Sequence, residues 1–299
     1  MPSIHHTMSG VNQARMGGKA MPVALVLAGT STVQLGAALA VKLFDDLGPV
    51  GTVFLRVFFA AVVLVLITRP TLRGRSREAA RSVVLFGIAL GLMNLSFYEA
   101  LDRIPLGIAV TLEFVGPLGV AIATSRTRAD FAWAAMAALG IVLLGGGIGG
   151  ELDALGVALA LTAGAFWAAY IVLAQRVGRE FPGFDGIAIA MVVSTAILIV
   201  PGIAAAGSDL LEPELLAIGF AVAMLSSAIP YSLELEALRH LAASTFGVLM
   251  SLEPGVAALV GFIVLGQDLA ATEVVAIGLV VAASAGALST SAGPPARDA

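Results

Sequence analysis

The 299-residue chain is written twice. Glu99, Ala100, Leu101, Leu112, Pro117 and Ala121 recur 137 positions later as Glu236, Ala237, Leu238, Leu249, Pro254 and Ala258. Each half holds five hydrophobic stretches, and an odd number of crossings makes the second half enter a membrane from the opposite side. The spacing therefore predicts an inverted repeat, an architecture built into many secondary transporters.

The hydrophobic stretches are long enough for this. A helix needs roughly 20 apolar residues to cross the hydrocarbon core. Spans are predicted near 22–43, 49–68, 82–101, 106–124 and 129–148, then near 154–175, 186–206, 214–235, 243–264 and 270–290. With 59% hydrophobic residues, 12% charged and a mean hydropathy of +1.00, too little polar surface remains for a soluble domain. The expected fold is all-α: ten transmembrane helices as two inverted five-helix repeats, residues 21–149 and 150–290. Residues 1–20 form a disordered cytoplasmic tail, and 291–299 a second short tail. The first twenty residues carry His5, His6, Arg15 and Lys19 without an apolar run, unlike a cleaved leader.

Lys and Arg are retained on the cytoplasmic side of a membrane. With the N-terminus inside, thirteen of the sixteen basic residues fall on inner segments, among them Arg69, Arg73, Arg75, Arg77 and Arg81. Lys42 and Arg103 fall outside, and Arg56 lies within the second span. A miscounted span would scramble that asymmetry, so both ends are expected to be cytoplasmic. The five arginines from 69 to 81 can attract anionic lipid headgroups, although topology alone accounts for them.

With no cysteine, disulfides and thiolate metal sites are excluded. The histidines, His5, His6 and His240, have no ligand spacing, and no phosphate-binding loop ending in Gly-Lys-Ser/Thr is present. Neither an intramembrane enzyme nor an ATP-driven pump is indicated, no cofactor or metal is expected, and nothing points to nucleic acid. A passive channel or scaffold is disfavoured by two intramembrane glutamates.

Those are Glu113, about seven residues or roughly 10 Å into the fourth span, and Glu253, near the middle of the ninth. A charge at the centre of a span costs about 2.5–3.5 kcal/mol on insertion scales, so an idle lipid-facing glutamate is disfavoured. Either they line a cavity and exchange protons, or they pair with neighbouring helices. They are not repeat mates: at the 137-residue offset Glu113 meets Met250 and Glu253 meets Gly116. Pro117 and Pro254 are mates, and each removes a backbone donor, freeing a carbonyl one turn earlier. Such kinks should face protein or water, as a gate, as part of a binding site, or simply as tolerated prolines.

Arg56 can bind a substrate carboxylate, pair with a glutamate such as Glu99, or snorkel to the interface, and a structural role is the favoured one. Gln34 with Thr30, Asn94 with Tyr98, Trp167 with Tyr170, and Tyr231 with Ser232 offer polar groups within spans. Interhelical hydrogen bonding explains them as well as ligand contact does. Gly87 and Gly91 form a small-xxx-small pair that permits close helix approach.

The segments Arg103-Ile104-Pro105-Leu106-Gly107 and Glu113-Phe114-Val115-Gly116-Pro117-Leu118 resemble the fourth span of the threonine and homoserine exporters in the drug/metabolite transporter superfamily, EamA type. Pro230-Tyr231-Ser232-Leu233-Glu234 and the stretch from Thr245 to Pro254 resemble the region around the ninth span, and Gln34 to Ala40 the first. The resemblance covers about residues 21–290 and is weaker as a guide to substrate. It implies a basket of ten helices around a central cavity in the plasma (inner) membrane, exporting small amino acids of the threonine and homoserine kind or related metabolites with protons as the coupling ion; export of other small metabolites or drugs is the alternative. The oligomeric state is left open.

Overall fold

The computed structural model describes residues 7–124, 128–145, 152–230, 233, 237 and 249–291, and they are helical with short connections. In chain order the helices are α1 (Thr7–Val41), α2 (Phe44–Thr68), α3 (Arg77–Leu101), α4 (Leu106–Glu113), α5 (Val115–Thr124) and α6 (Arg128–Gly145). Then follow α7 (Ala154–Glu180), α8 (Asp185–Ala206), α9 (Pro213–Ala223), α10 (Glu253–Leu265) and α11 (Ala271–Ser291). A 3₁₀ turn, Gly207–Leu211, leads into α9, and a π-helical turn, Met224–Ala228, leads out of it.

Five of the described helical segments are long and apolar enough to cross a membrane: Met21–Val41, Phe44–Thr68, Arg77–Leu101, Ala154–Glu180 and Asp185–Leu211. Shorter apolar helices occupy Leu106–Val120, Phe131–Leu143, Pro213–Ala228, Glu253–Leu265 and Ala271–Ala287. Large apolar side chains stay exposed on the outside of the bundle, including Phe131 at 77% and Val200 at 73%. Such a surface suits hydrocarbon rather than water. The chain is an all-helical multi-pass membrane protein.

Local chemistry sets several helix ends. Gly48 turns the chain at φ +64°, a conformation glycine adopts without a Cβ penalty, and Pro49 begins the long part of α2. Ser76 caps α3 by accepting from the Ala79 N–H at 3.0 Å. Asp153 caps α7 by accepting from the Gly156 N–H at 2.9 Å and lies 3.7 Å from Arg103. The Gly156 N–H, with that of Leu155 and the Arg103 charge, holds the Asp153 carboxyl below the usual carboxylate range against a smaller opposing effect of desolvation. One boundary differs from expectation: α1 begins at Thr7, inside the stretch expected to be a disordered tail. Nucleation is the costly step of helix formation, so a helix already anchored by its packed part extends outwards at little cost.

Helices from the two halves of the chain interlock. α3 packs against α7 and α8, α2 against α8 and α9, α4 against α7 and α10, α1 against α10 and the π turn, and α6 against α11. Gly87 and Gly91 lie on the α3 face that meets α8, where a Cβ on Gly87 would come within 2.7 Å of the Ala190 carbonyl. The Ser194 hydroxyl donates to the Gly87 carbonyl across this contact at 2.7 Å.

Candidate functional site

The fourth apolar stretch is not one continuous helix. α4 ends at Glu113, Phe114 forms a turn and α5 begins at Val115. In the second half, Ser251 and Leu252 form a turn and α10 begins at Glu253. The 137-residue offset carries Phe114 onto Ser251 and Val115 onto Leu252, so the two breaks coincide under that offset. Pro117 and Pro254 lie just inside the second segment of each. Lacking an N–H, Pro117 cannot bond the Glu113 carbonyl, nor Pro254 that of Met250. The Glu113 carbonyl instead faces α7, where a Cβ on Gly164 would lie 2.6 Å from it. A Cβ on Gly116 would in turn collide with the Gly164 carbonyl. Two glycines therefore let the broken segment rest backbone to backbone on α7.

The glutamates flank their breaks from opposite sides. Glu253 stands in the first turn of α10, where the helix dipole favours negative charge, and Glu113 stands in the last turn of α4, where it does not. Both are nearly buried, at 6% and 8% exposure.

Between the helices lies a cavity of about 530 Å³. Its wall includes Glu113, Glu253, Gln34, Arg56 and Asn94, with Trp167, Tyr170, Phe114 and Pro117. Gln34 donates from Nε2 to Glu253 Oε1 at 3.1 Å, tying α1 to the start of α10. One turn earlier, the Thr30 hydroxyl approaches the Met250 sulfur at 3.8 Å. Glu113 lies within electrostatic reach of both Glu253 and Arg56. Arg56 donates from one terminal nitrogen to Asn94 Oδ1 at 2.7 Å and from the other to the Ser226 carbonyl at 3.4 Å. Its guanidinium lies 5.4 Å from the centre of the Tyr98 ring, a cation–π distance. Asn94 returns its amide N–H to the Leu90 carbonyl at 2.8 Å, which fixes the oxygen towards Arg56. Five N–H donors on a guanidinium leave Arg56 with capacity beyond these two bonds.

Most residues singled out in the sequence meet here. Trp167 packs edge-on against Phe114 at 5.4 Å, and Tyr170 packs on Phe86 at 4.9 Å. Tyr98 is fully buried behind Arg56 against Phe44 and Phe97 and does not line the cavity. Pro254 is buried at the α10 start, outside the cavity wall. Glu99 is half-buried and off the wall, and Arg56 bonds to Asn94 and Ser226 instead, because Asn94 lies a turn deeper in α3. Tyr231 and Ser232 lie outside the described residues.

The sequence reading missed Ser226, Met250 and Ser284, which also line the cavity. The only hint for Ser226 is a serine pair in an apolar run. The carbonyl it presents belongs to the π turn, in which the Ile229 N–H bonds the Met224 carbonyl five residues back. Such turns often mark functional positions in helices.

The chain is also similar to proteins of known families. The pattern of the EamA-like transporter family matches residues 154–289. The chain is 40% identical over 273 residues to the threonine/homoserine exporter RhtA of Escherichia coli (strain K12), covering 90% of this chain and 92% of that protein. The same identity holds over 272 residues with the protein of that name from Salmonella typhimurium (strain SL1344). A crystal structure with 18% identity superposes at a TM-score of 0.59 over 88% of this chain and 96% of its own, a likeness of fold.

Proposed function

Because the chain belongs to the EamA-like transporter family, in the threonine/homoserine exporter-like branch, we propose that it is a secondary exporter of small amino acids of the threonine and homoserine kind, driven by proton antiport. It is a transporter and not an enzyme. In the proposed arrangement ten spans form two inverted repeats, residues 21–149 and 150–290, in the plasma (inner) membrane, with both termini cytoplasmic.

The observation that carries the reading is the union of two carboxyls and a guanidinium in one largely apolar cavity. A volume of about 530 Å³ falls within the range of roughly 300–1,000 Å³ usual for small-molecule sites. An amino-acid zwitterion needs one pole of each sign. Arg56, held by Asn94, supplies a planar fork suited to a carboxylate. Glu113 and Glu253 supply acceptors for an ammonium group or a proton. Arg56 in this reading binds substrate, where the sequence alone favoured a structural role.

The repeat-related breaks give the cavity its moving parts. Discontinuous helices at a repeat interface are the usual setting for substrate and ion sites in secondary transporters, with alternating access by motion of one repeat against the other. Pro117 and Pro254 supply the hinges. A proton moving down a membrane potential supplies about 2.3 kcal/mol per 100 mV.

The test is purified protein in liposomes with labelled threonine or homoserine and an imposed pH gradient. Substrate movement against its own gradient, abolished by a protonophore, is the expected result. Movement only down the substrate gradient would indicate a channel. No movement, with insertion verified, would refute the assigned substrate class.

A further inference from the structure

We propose that Ser284, together with the amide oxygen of Gln34, reads a hydroxyl group on the transported molecule, so that the cavity selects hydroxylated side chains over apolar ones of the same shape. The inference rests on the reading above that an amino acid occupies the cavity, and it names the residues that choose among amino acids.

Ser284 stands on α11, is 1% exposed and lines the cavity. A serine or threonine inside a helix commonly returns its hydroxyl to the carbonyl four residues back. Thr111, Thr162, Ser194 and Thr195 all do so here, at 2.6–2.9 Å. Ser284 does not: among the described residues its Oγ, though buried, has no hydrogen-bond partner. Its helix neighbours Ala283 and Ala287 pack on Leu118 and Ala137, so alanine would serve the packing equally well. A buried hydroxyl left unpaired is costly, and its retention on a cavity wall is accounted for by an occupant that completes it.

Gln34 presents the same situation from α1. Its Nε2 is committed to Glu253, whereas its Oε1 is buried without a partner among the described residues. The two orphaned groups are complementary to a hydroxyl: an amide oxygen only accepts, and a serine hydroxyl can donate. Ser226 also carries a hydroxyl on the wall with no partner among the described residues, but that oxygen sits against Gly36, where a Cβ would collide with it. It belongs to the packing of α1 on the π turn.

Threonine and valine have nearly the same shape and differ in the hydroxyl. A purely apolar pocket separates such isosteres poorly, whereas a site with buried polar groups rejects the partner that leaves them unpaired. The experiment measures initial rates of labelled threonine and labelled valine, below saturation, in liposomes under one imposed pH gradient. It compares the unmodified protein with Ser284→Ala and Ser284→Thr. Unmodified protein is expected to favour threonine by at least about tenfold, the worth of roughly one buried hydrogen bond. Ser284→Ala should lower the threonine rate by about that factor without lowering that of valine, since it also removes the hydroxyl that valine leaves unpaired, and Ser284→Thr should keep the preference. If Ser284→Ala does not fold, Ser284→Cys, with a weakly bonding thiol, makes the same comparison. A parallel loss for both amino acids, or an unmodified protein blind to the hydroxyl, overturns the assignment. Transport of neither amino acid by the unmodified protein overturns the amino-acid reading beneath it.

Discussion

Gly164→Ala should damage this protein far more than a single methyl group suggests. The new Cβ would stand 2.6 Å from the Glu113 carbonyl oxygen and 3.3 Å from its carbonyl carbon and Cα. Ordinary contact begins near 3.4 Å, so α4 and α7 would have to part by about 0.8 Å. The obstacle is backbone rather than the flexible end of a side chain, so no rotamer change relieves it. Overpacking of this kind costs about 1–3 kcal/mol. Glu113 sits on the displaced segment, so its carboxyl moves relative to Arg56 and Glu253, and transport should fall with stability. Gly119→Ala is the matched control: it lies in the same broken span with no described residue within 4 Å of its new methyl, and alanine is the better helix former by up to about 1 kcal/mol. Thermal unfolding in detergent, read by tryptophan fluorescence, should show Gly164→Ala melting several degrees below the unmodified protein and Gly119→Ala at or above it. Equal melting temperatures for the two variants would refute the close backbone crossing.

Further expectations follow from the cavity and from one helix cap. Glu113→Gln or Glu253→Gln should insert normally yet lose proton-driven uphill transport, checked by pH-gradient uptake in liposomes; normal uphill transport in both would remove the glutamates from the mechanism. Arg56→Gln should raise the KM for a zwitterionic substrate roughly 10- to 100-fold, since a hydrogen bond to a charged group is worth about 1.5–3 kcal/mol, with no comparable penalty for a substrate analogue lacking the carboxylate. Asp153 is held below its ordinary carboxylate range by the Gly156 N–H first and by Arg103. Its contribution to stability is therefore complete above the unfolded-state value near 3.8 and fades as pH falls through the lower folded value. Asp153→Asn should flatten that acid-side loss in a melting series taken downwards from pH 5.

How much of this was legible in the sequence depends on the kind of information each feature carries. Spans are written in composition, because the bilayer imposes a length of apolar residues and little else. The ends of α3 and α7 are written in single residues, Ser76 and Asp153, whose side chains replace missing backbone partners. Pro117 and Pro254 announced that two helices would be disturbed, and both turns fall within a few residues of them. The partner of Arg56 was not legible. Glu99 is the nearer match in charge and Asn94 the nearer in depth, and the choice between them needs the rotation of α3 about its own axis. Ser284 was silent for a related reason: a serine among alanines in an apolar helix looks like one more small residue until its hydroxyl is seen to bond none of the described residues.

The proposed repeat bears on both what the halves share and where they part. Both carry a break followed closely by a proline, a feature of the backbone that an ancestral half could contribute to each copy. The charges do not follow the repeat, since Glu113 faces Met250 and Glu253 faces Gly116 under the offset. Gly116 has no room for a side chain against Gly164, so the first half cannot carry a carboxyl where the second half has one. Its glutamate sits three residues earlier, on the other side of the break. Close packing on α7 thus makes the two carboxyls electrostatically unlike, one at a helix start and one at a helix end. In the antiport reading that inequality gives a proton and a substrate ammonium distinct places in a single cavity.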